Sequence, residues 1–350
     1  MYTLNKMLES VSNYTNTIVK NNQTGAAVFT EFGARLLGLF PSKFDPNVLW
    51  ISDNLEHEIN NQSWLIGGER LWIAPQRNFY FKSTHDFDDF FVSPQIDPGQ
   101  YRHMQELKFE NCFTLHDHHR NQAYKSSTAR REFRILDDPY NSDLEYMGVK
   151  IIEHLSVPVN SIDICPWSIT QVHTNGEDVP GTVFFPIKND AKLLSYFDTI
   201  PHDRASVESG YARFLIDSQK PYKLAIRPED VKWDNLAKVV YLSPFFDGPK
   251  WLCLVKRSND LPKNQQECVD PPPANPDGFK GAIQAYNGAL SQSPTHYYGE
   301  IELQLTKGLN NNGKTVCNAS HELLSYTGSK DQILQLAKSI LEIDSIPKIY

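Results

Sequence analysis

Apolar residues recur at helical spacing only at the two ends of the chain. Leu4, Met7, Leu8 and Val11 mark one helix face, and Ile333, Leu336, Ala337, Ile340 and Leu341 mark another. Ser329 with Gln332 three residues on has the spacing of a capping box, which predicts a helix over 330–342. Residues 1–20 are expected to form an N-terminal helical extension.

Between these ends the period changes. Short segments rich in Val, Ile, Phe and Tyr alternate with Pro, Gly, Asn or Asp, and predict strands at 26–31, 36–40, 48–52, 70–74, 79–82, 132–136, 149–155, 168–172, 183–187, 212–216, 223–226, 239–242, 251–256, 281–286 and 300–305. No helical stretch separates successive strands, so a doubly wound α/β fold is excluded. The expectation is a mainly β protein: one large, many-stranded antiparallel β-sandwich (a supersandwich) over residues 1–350, with short terminal helices. Dense breakers at 94–100 and 271–278 read as long loops of that sandwich, a common location for function.

Composition adds exclusions. The 350 residues carry a net charge of −8, and no Lys/Arg cluster is denser than Arg130-Arg131, so nucleic acid is not an expected partner. No apolar run approaches the roughly 20 residues of a membrane-spanning helix. No basic segment followed by an apolar one opens the chain, and a cytoplasmic address is expected. Five Cys without CxxC spacing predict buried thiols rather than a zinc ribbon or a disulfide framework. No phosphate-binding loop, dinucleotide fingerprint, nucleophile elbow or HExxH occurs, so no cofactor is expected.

Four segments can carry chemistry. In Glu300-Ile-Glu-Leu-Gln304 the alternation puts Glu300, Glu302 and Gln304 on one strand face, either a solvated face or a pair of carboxylates able to act as a base or to position a polyol. Around Pro166-Trp167 an indole lies near Ser168, Thr170, Gln171 and His173, which suits stacking and hydrogen bonding of a sugar as well as it suits a core Trp. Gly67-Gly68 permits a tight turn that delivers Arg70 and Trp72 to one face, where Arg70 holds either a ligand or a structural acid. His116 and His118 share a strand face and are weak metal candidates, with an exposed strand end as the plainer reading.

Taken in order, these segments resemble the galactose mutarotase-like superfamily. Thr24–Gly38 is similar to its opening hairpin, Asn47-Val-Leu-Trp50 to the run that follows, Gly67–Pro75 and Pro166–Gln171 to segments of its uncharacterised aldose-epimerase-like branch, and Tyr297–Gln304 to its late base-bearing strand. The resemblance spans about Thr24 to Thr306. It implies an aldose 1-epimerase-like isomerase of carbohydrate metabolism, with Glu302 as base, His173 as candidate acid and Arg70 orienting the substrate. Trp72, Trp167, Gln171, Glu300 and Gln304 are the expected substrate-binding residues. A non-catalytic carbohydrate-binding protein on the same scaffold is the alternative, and a carbohydrate is the expected partner in both cases.

Overall fold

A computed structural model describes residues 2–350 except 84–86, 88, 175, 234–235, 247 and 290–296. Two large sheets dominate it, and every strand pair within them is antiparallel. The nine-stranded sheet runs, in spatial order, through Thr17–Asn21, Ala26–Thr30, Arg35–Phe40, Glu69–Ala74, Cys165–His173, Tyr298–Gln304, Ile283–Asn287, Tyr222–Ile226 and Leu193–Ser195. The second sheet is centred on the long strands Lys314–Ser329, Glu145–Val157 and Gln122–Leu136.

Both faces of the central nine-sheet strands are covered, which is why Glu69–Ala74 and Tyr298–Gln304 are buried at every position. Alternate residues divide between the faces: Glu69 reaches Arg131 of the second sheet, whereas Arg70 and Trp72 line a cleft on the far side. One apolar cluster between the sheets draws on both, from Phe29 and Leu71 to Val149 and Leu254. Ser329 caps the helix Lys330–Leu341, and its capping box with Gln332 is complete. That helix lays Ile333, Leu336, Ala337 and Ile340 over Tyr326, Val240 and Val255 on the outer face of the second sheet.

Several expectations are corrected. The N-terminal helix is only Leu4–Val11, because Thr17–Asn21 already pairs with Ala26–Thr30 as an edge strand. Helix also occurs between the ends, at Leu55–Asn60 and Gln76–Phe79, in pieces too short to show a 3.6-residue period. The second of these replaces the start of the expected strand at 79–82, of which only a single bridge from Phe81 to Phe90 remains. Residues 48–52 form isolated bridges at Leu49 and Ile51 rather than a strand. The 16-residue strand Lys314–Ser329 was not expected, because its inward positions Thr315, Cys317, Ala319 and His321 are not strongly apolar.

All five Cys are free, and four are buried. Among the described residues, no helix is long and apolar enough to cross a membrane.

Candidate functional site

The cleft on the far face of the nine-stranded sheet has a volume of about 660 Å³. Register builds its floor. Arg70 pairs with Ile169, which faces Glu302; Gln171 faces Glu300; Tyr286 stands between Glu300 and Lys223. Antiparallel partners point to the same side, so five strands deliver these side chains to one surface. Gly67 and Gly68, with φ of +94° and +79°, make the turn into the strand of Arg70; a Cβ on either would meet the backbone oxygen of Trp50 or Leu36 at 2.3 and 2.6 Å.

Two ion pairs organise the floor. Arg70 Nη2 donates to Glu300 Oε1 at 2.8 Å, and its guanidinium packs against the indoles of Trp72 and Trp64, 4.3 and 5.0 Å from their centroids. Lys223 Nζ donates to Glu302 Oε2 at 2.9 Å and sits 4.5 Å over Trp167, whose Nε1 donates to the same carboxylate oxygen at 2.8 Å. Among the described residues, Arg70 Nε and Nη1 and Glu302 Oε1 have no hydrogen-bond partner.

The two carboxylates differ in access. Glu302 is fully buried beneath Lys223 and Trp167, whereas the side chain of Glu300 retains 10% exposure and lines the cleft. Burial raises the Glu300 pKa above the usual carboxylate range. The Arg70 guanidinium opposes that shift, Glu302 adds to it, and Lys223 and the Gln171 amide also lower it.

The expected stacking surfaces are placed differently. One face of Trp72 is taken by Tyr80, stacked at 4.5 Å, and Arg70 packs over the indole as well; Trp167 is 1% exposed beneath Lys223. The aromatics left open on the cleft are Phe90 and Phe197, at 43% and 47% exposure. His173 lies at the end of its strand with its ring against Phe246, and burial pushes its pKa down to about 4. It is absent from the cleft lining. Ser168 and Thr170 point to the other side of the sheet, where Ser168 Oγ donates to Glu69. His116 and His118 stack at 6.3 Å at a strand end, with His116 exposed.

Three groups that support the floor were missed in the sequence. Lys223 is the second residue of the apolar strand Tyr222–Ile226, and a cation in such a segment was the available signal. Asp97, in the 94–100 loop, accepts from Arg35 Nη2 at 2.6 Å and from Trp72 Nε1 at 2.7 Å. Asp270, just before the 271–278 loop, accepts from the Gln304 amide at 3.0 Å and from the Gln76 backbone N–H at 2.7 Å. No sequence pattern announces either Asp, because each is a single loop residue recruited by tertiary contact.

Asp270 gives a pH test. Burial pushes its pKa up to about 6, partly offset by Lys223 and the Gln76 N–H. With the folded pKa above the unfolded value of 3.8, the stability linked to this group is full below pH 3.8 and is lost as pH rises through 6. Two units correspond to about 3 kcal/mol. Unfolding midpoints of the protein and of Asp270→Asn between pH 4 and 8 are expected to diverge in the variant's favour as pH rises; parallel profiles would remove Asp270 as the titrating group.

Among the described residues, one group of three possible metal ligands lies within 4.8 Å: Glu69, Glu153 and His321, between the sheets. Arg131 already bridges both carboxylates.

Comparison with solved structures places the fold. A provisionally assigned aldose 1-epimerase of Escherichia coli K12 superposes with a TM-score of 0.50 at 6% identity, over 90% of this chain and 99% of that one. A provisionally assigned mutarotase of Salmonella typhimurium gives 0.44 at 10% identity, over 91% and 92%. A galactose mutarotase-like protein of Lactobacillus casei gives 0.39 at 11%, over 89% and 99%. The chain therefore shares its fold with the Escherichia coli protein. No protein-family model matches the sequence, and no curated protein matches it.

Proposed function

We propose that the protein is carbohydrate-active and works as an aldose 1-epimerase-like isomerase in the cleft, with Glu300 as the proton-transferring carboxylate. The carrying observation is a cleft-facing carboxylate with raised pKa, fixed by a guanidinium packed against two indoles. Mutarotation removes the proton of the anomeric hydroxyl while the ring oxygen gains one; the C1–O5 bond breaks, the aldehyde turns over, and the roles reverse on closure. Glu300 takes the hydroxyl proton. Lys223, an ammonium lining the same cleft and held by Glu302, is the donor toward the ring oxygen. Arg70 fixes Glu300 through Nη2. Glu302, the base that the sequence resemblance implies, holds Lys223 in this arrangement.

A second reading has its own observation. Both carboxylates are ion-paired, an arrangement that also serves a binding protein with no turnover. Polarimetry separates the two: the protein is expected to speed the rotational drift of fresh α-D-glucose or α-D-galactose. Sugar binding without acceleration leaves the binding protein, and neither binding nor acceleration removes the carbohydrate reading.

A further inference from the structure

Arg70 owes its place beside Glu300 to three neighbours. The Gly67-Gly68 turn delivers its strand, and the indoles of Trp64 and Trp72 pack against its guanidinium at 5.0 and 4.3 Å. All three lead to one buried ion pair behind the cleft. Arg35, fully buried at the start of Arg35–Phe40, donates from Nη1 to the Gly67 carbonyl at 2.9 Å, and from Nη2 to the Trp64 carbonyl at 2.7 Å and to Asp97 Oδ1 at 2.6 Å. Asp97, 3% exposed in the 94–100 loop, accepts the Trp72 Nε1–H on its other oxygen at 2.7 Å. Neither Arg35 nor Asp97 lines the cleft.

Compared with an apolar pair of the same shape, a buried ion pair adds little stability. What this one adds is direction. The two Asp97 oxygens face two donors carried by different segments, a demand that an amide, with its single acceptor oxygen, cannot meet. Burial lowers the Arg35 pKa, Asp97 opposes that, and the charge of Arg70 adds to it, so the two guanidiniums are near enough to repel and Asp97 offsets the repulsion.

We propose that Arg35 and Asp97 are positioning residues for the cleft: the pair holds the Gly67 turn, Trp64 and Trp72 around Arg70 and thereby aims its guanidinium at Glu300. This deepens the reading of Glu300 as the proton-transferring carboxylate and rests on it. The consequence falls on the Glu300 proton. Burial and Glu302 disfavour the charged carboxylate, Arg70, Lys223 and the Gln171 amide favour it, and Tyr286 and Tyr298 are the other titratable side chains that feel it. Loosening Arg70 therefore raises the Glu300 pKa. Loss of the Asp97 charge by itself acts the other way, because removing a nearby negative charge lowers the pKa of a carboxylate. The direction of the change separates positioning from a bare charge effect.

Carbon-13 NMR of the glutamate-labelled protein, with the Glu300 carboxyl assigned by its loss in Glu300→Gln, reads this without a substrate. In Asp97→Asn the Glu300 titration midpoint is expected to rise by about one pH unit, the lower end of what a neighbouring guanidinium contributes. The double variant Arg35→Gln/Asp97→Asn, which leaves neither ion of the pair uncompensated, is expected to show the same rise. An unchanged or lowered midpoint in either folded variant overturns the positioning role, whatever the protein does to a sugar. The polarimetric pH profile of Asp97→Asn is expected to move with the midpoint, its rate falling about tenfold on the acid side and keeping its alkaline plateau. A raised midpoint in a protein that accelerates no sugar keeps the positioning role and removes the isomerase reading. The unaltered chain decides the matter if neither variant folds: the Trp72 Nε1–H resonance is expected to shift through the Glu300 midpoint and to stay flat there in Glu300→Gln, because coupling between two sites is reciprocal. A flat resonance in the unaltered chain overturns the proposal.

Discussion

Replacing Arg131 with alanine is expected to lower the unfolding midpoint by roughly 6–20 °C. Arg131 is fully buried between the sheets, where its Nε and Nη2 donate to Glu153 at 2.9–3.2 Å, its Nη2 also donates to Glu69, and its Nη1 donates to the Ala34 carbonyl at 2.7 Å. Glu69 belongs to the nine-stranded sheet and Glu153 to the other, so one guanidinium joins the two layers. Removing it strands two buried carboxylates, with Lys256 4.0 Å from Glu69 as the remaining cation there. Breaking a buried pair in this way costs about 3–5 kcal/mol, and large domains lose about 2–4 °C per kcal/mol. Calorimetry of Arg131→Ala beside the triple variant Arg131→Ala/Glu69→Gln/Glu153→Gln checks the cause. The triple variant should recover part of the loss, because its carboxylates no longer carry charge. An unchanged midpoint in Arg131→Ala would mean that the cluster does not hold the sheets together.

That cluster also marks how far the sequence could be read. Alternation placed the strands around Leu36, Arg70, Trp167 and Glu300 because their apolar positions face a continuous core. The same rule failed where the core itself is polar. Arg131 and His321 occupy inward positions of long strands, and a polar residue at a core position looks in the sequence like a break in the pattern, although Glu153 did not interrupt the strand expected at 149–155. Gln122–Leu136 was accordingly seen only from 132 onward, and Lys314–Ser329 not at all.

The site shows the same division. Local alternation was enough to put Glu300, Glu302 and Gln304 on one face, and the Gly67-Gly68 turn was enough to deliver Arg70 and Trp72 together. Which carboxylate meets the cleft could not be read, because that is decided by Lys223 and Trp167, 79 and 135 residues away from Glu302 in the chain. Exposure of the indoles was likewise set from outside the strand, by Tyr80 and by the cations that cover them.

The difference in access between Glu300 and Glu302 separates the two glutamine variants by rate, although each withdraws the counter-charge of a buried cation. If the cleft performs mutarotation, Glu300→Gln removes the group that carries the proton while keeping an oxygen for Arg70, whose guanidinium stays held by Trp64 and Trp72. Its rate enhancement is expected to fall by about 10²–10⁴, the usual contribution of a general acid or base, and its unfolding midpoint to fall as well, because Arg70, 2% exposed, loses its counter-charge. Glu302→Gln acts first on stability. It withdraws the counter-charge from Lys223, which is 5% exposed, and leaves a buried cation with neutral acceptors, a loss of up to about 3–5 kcal/mol. Its rate should fall less at a temperature where the variant is still folded, because Glu302 is covered from the cleft by Lys223 and Trp167. Polarimetric rates, taken at a temperature where melting curves show each variant folded, test the assignment. Should Glu302→Gln abolish the rate while Glu300→Gln keeps it, the proton passes through the buried carboxylate, and Lys223 must then move aside during turnover.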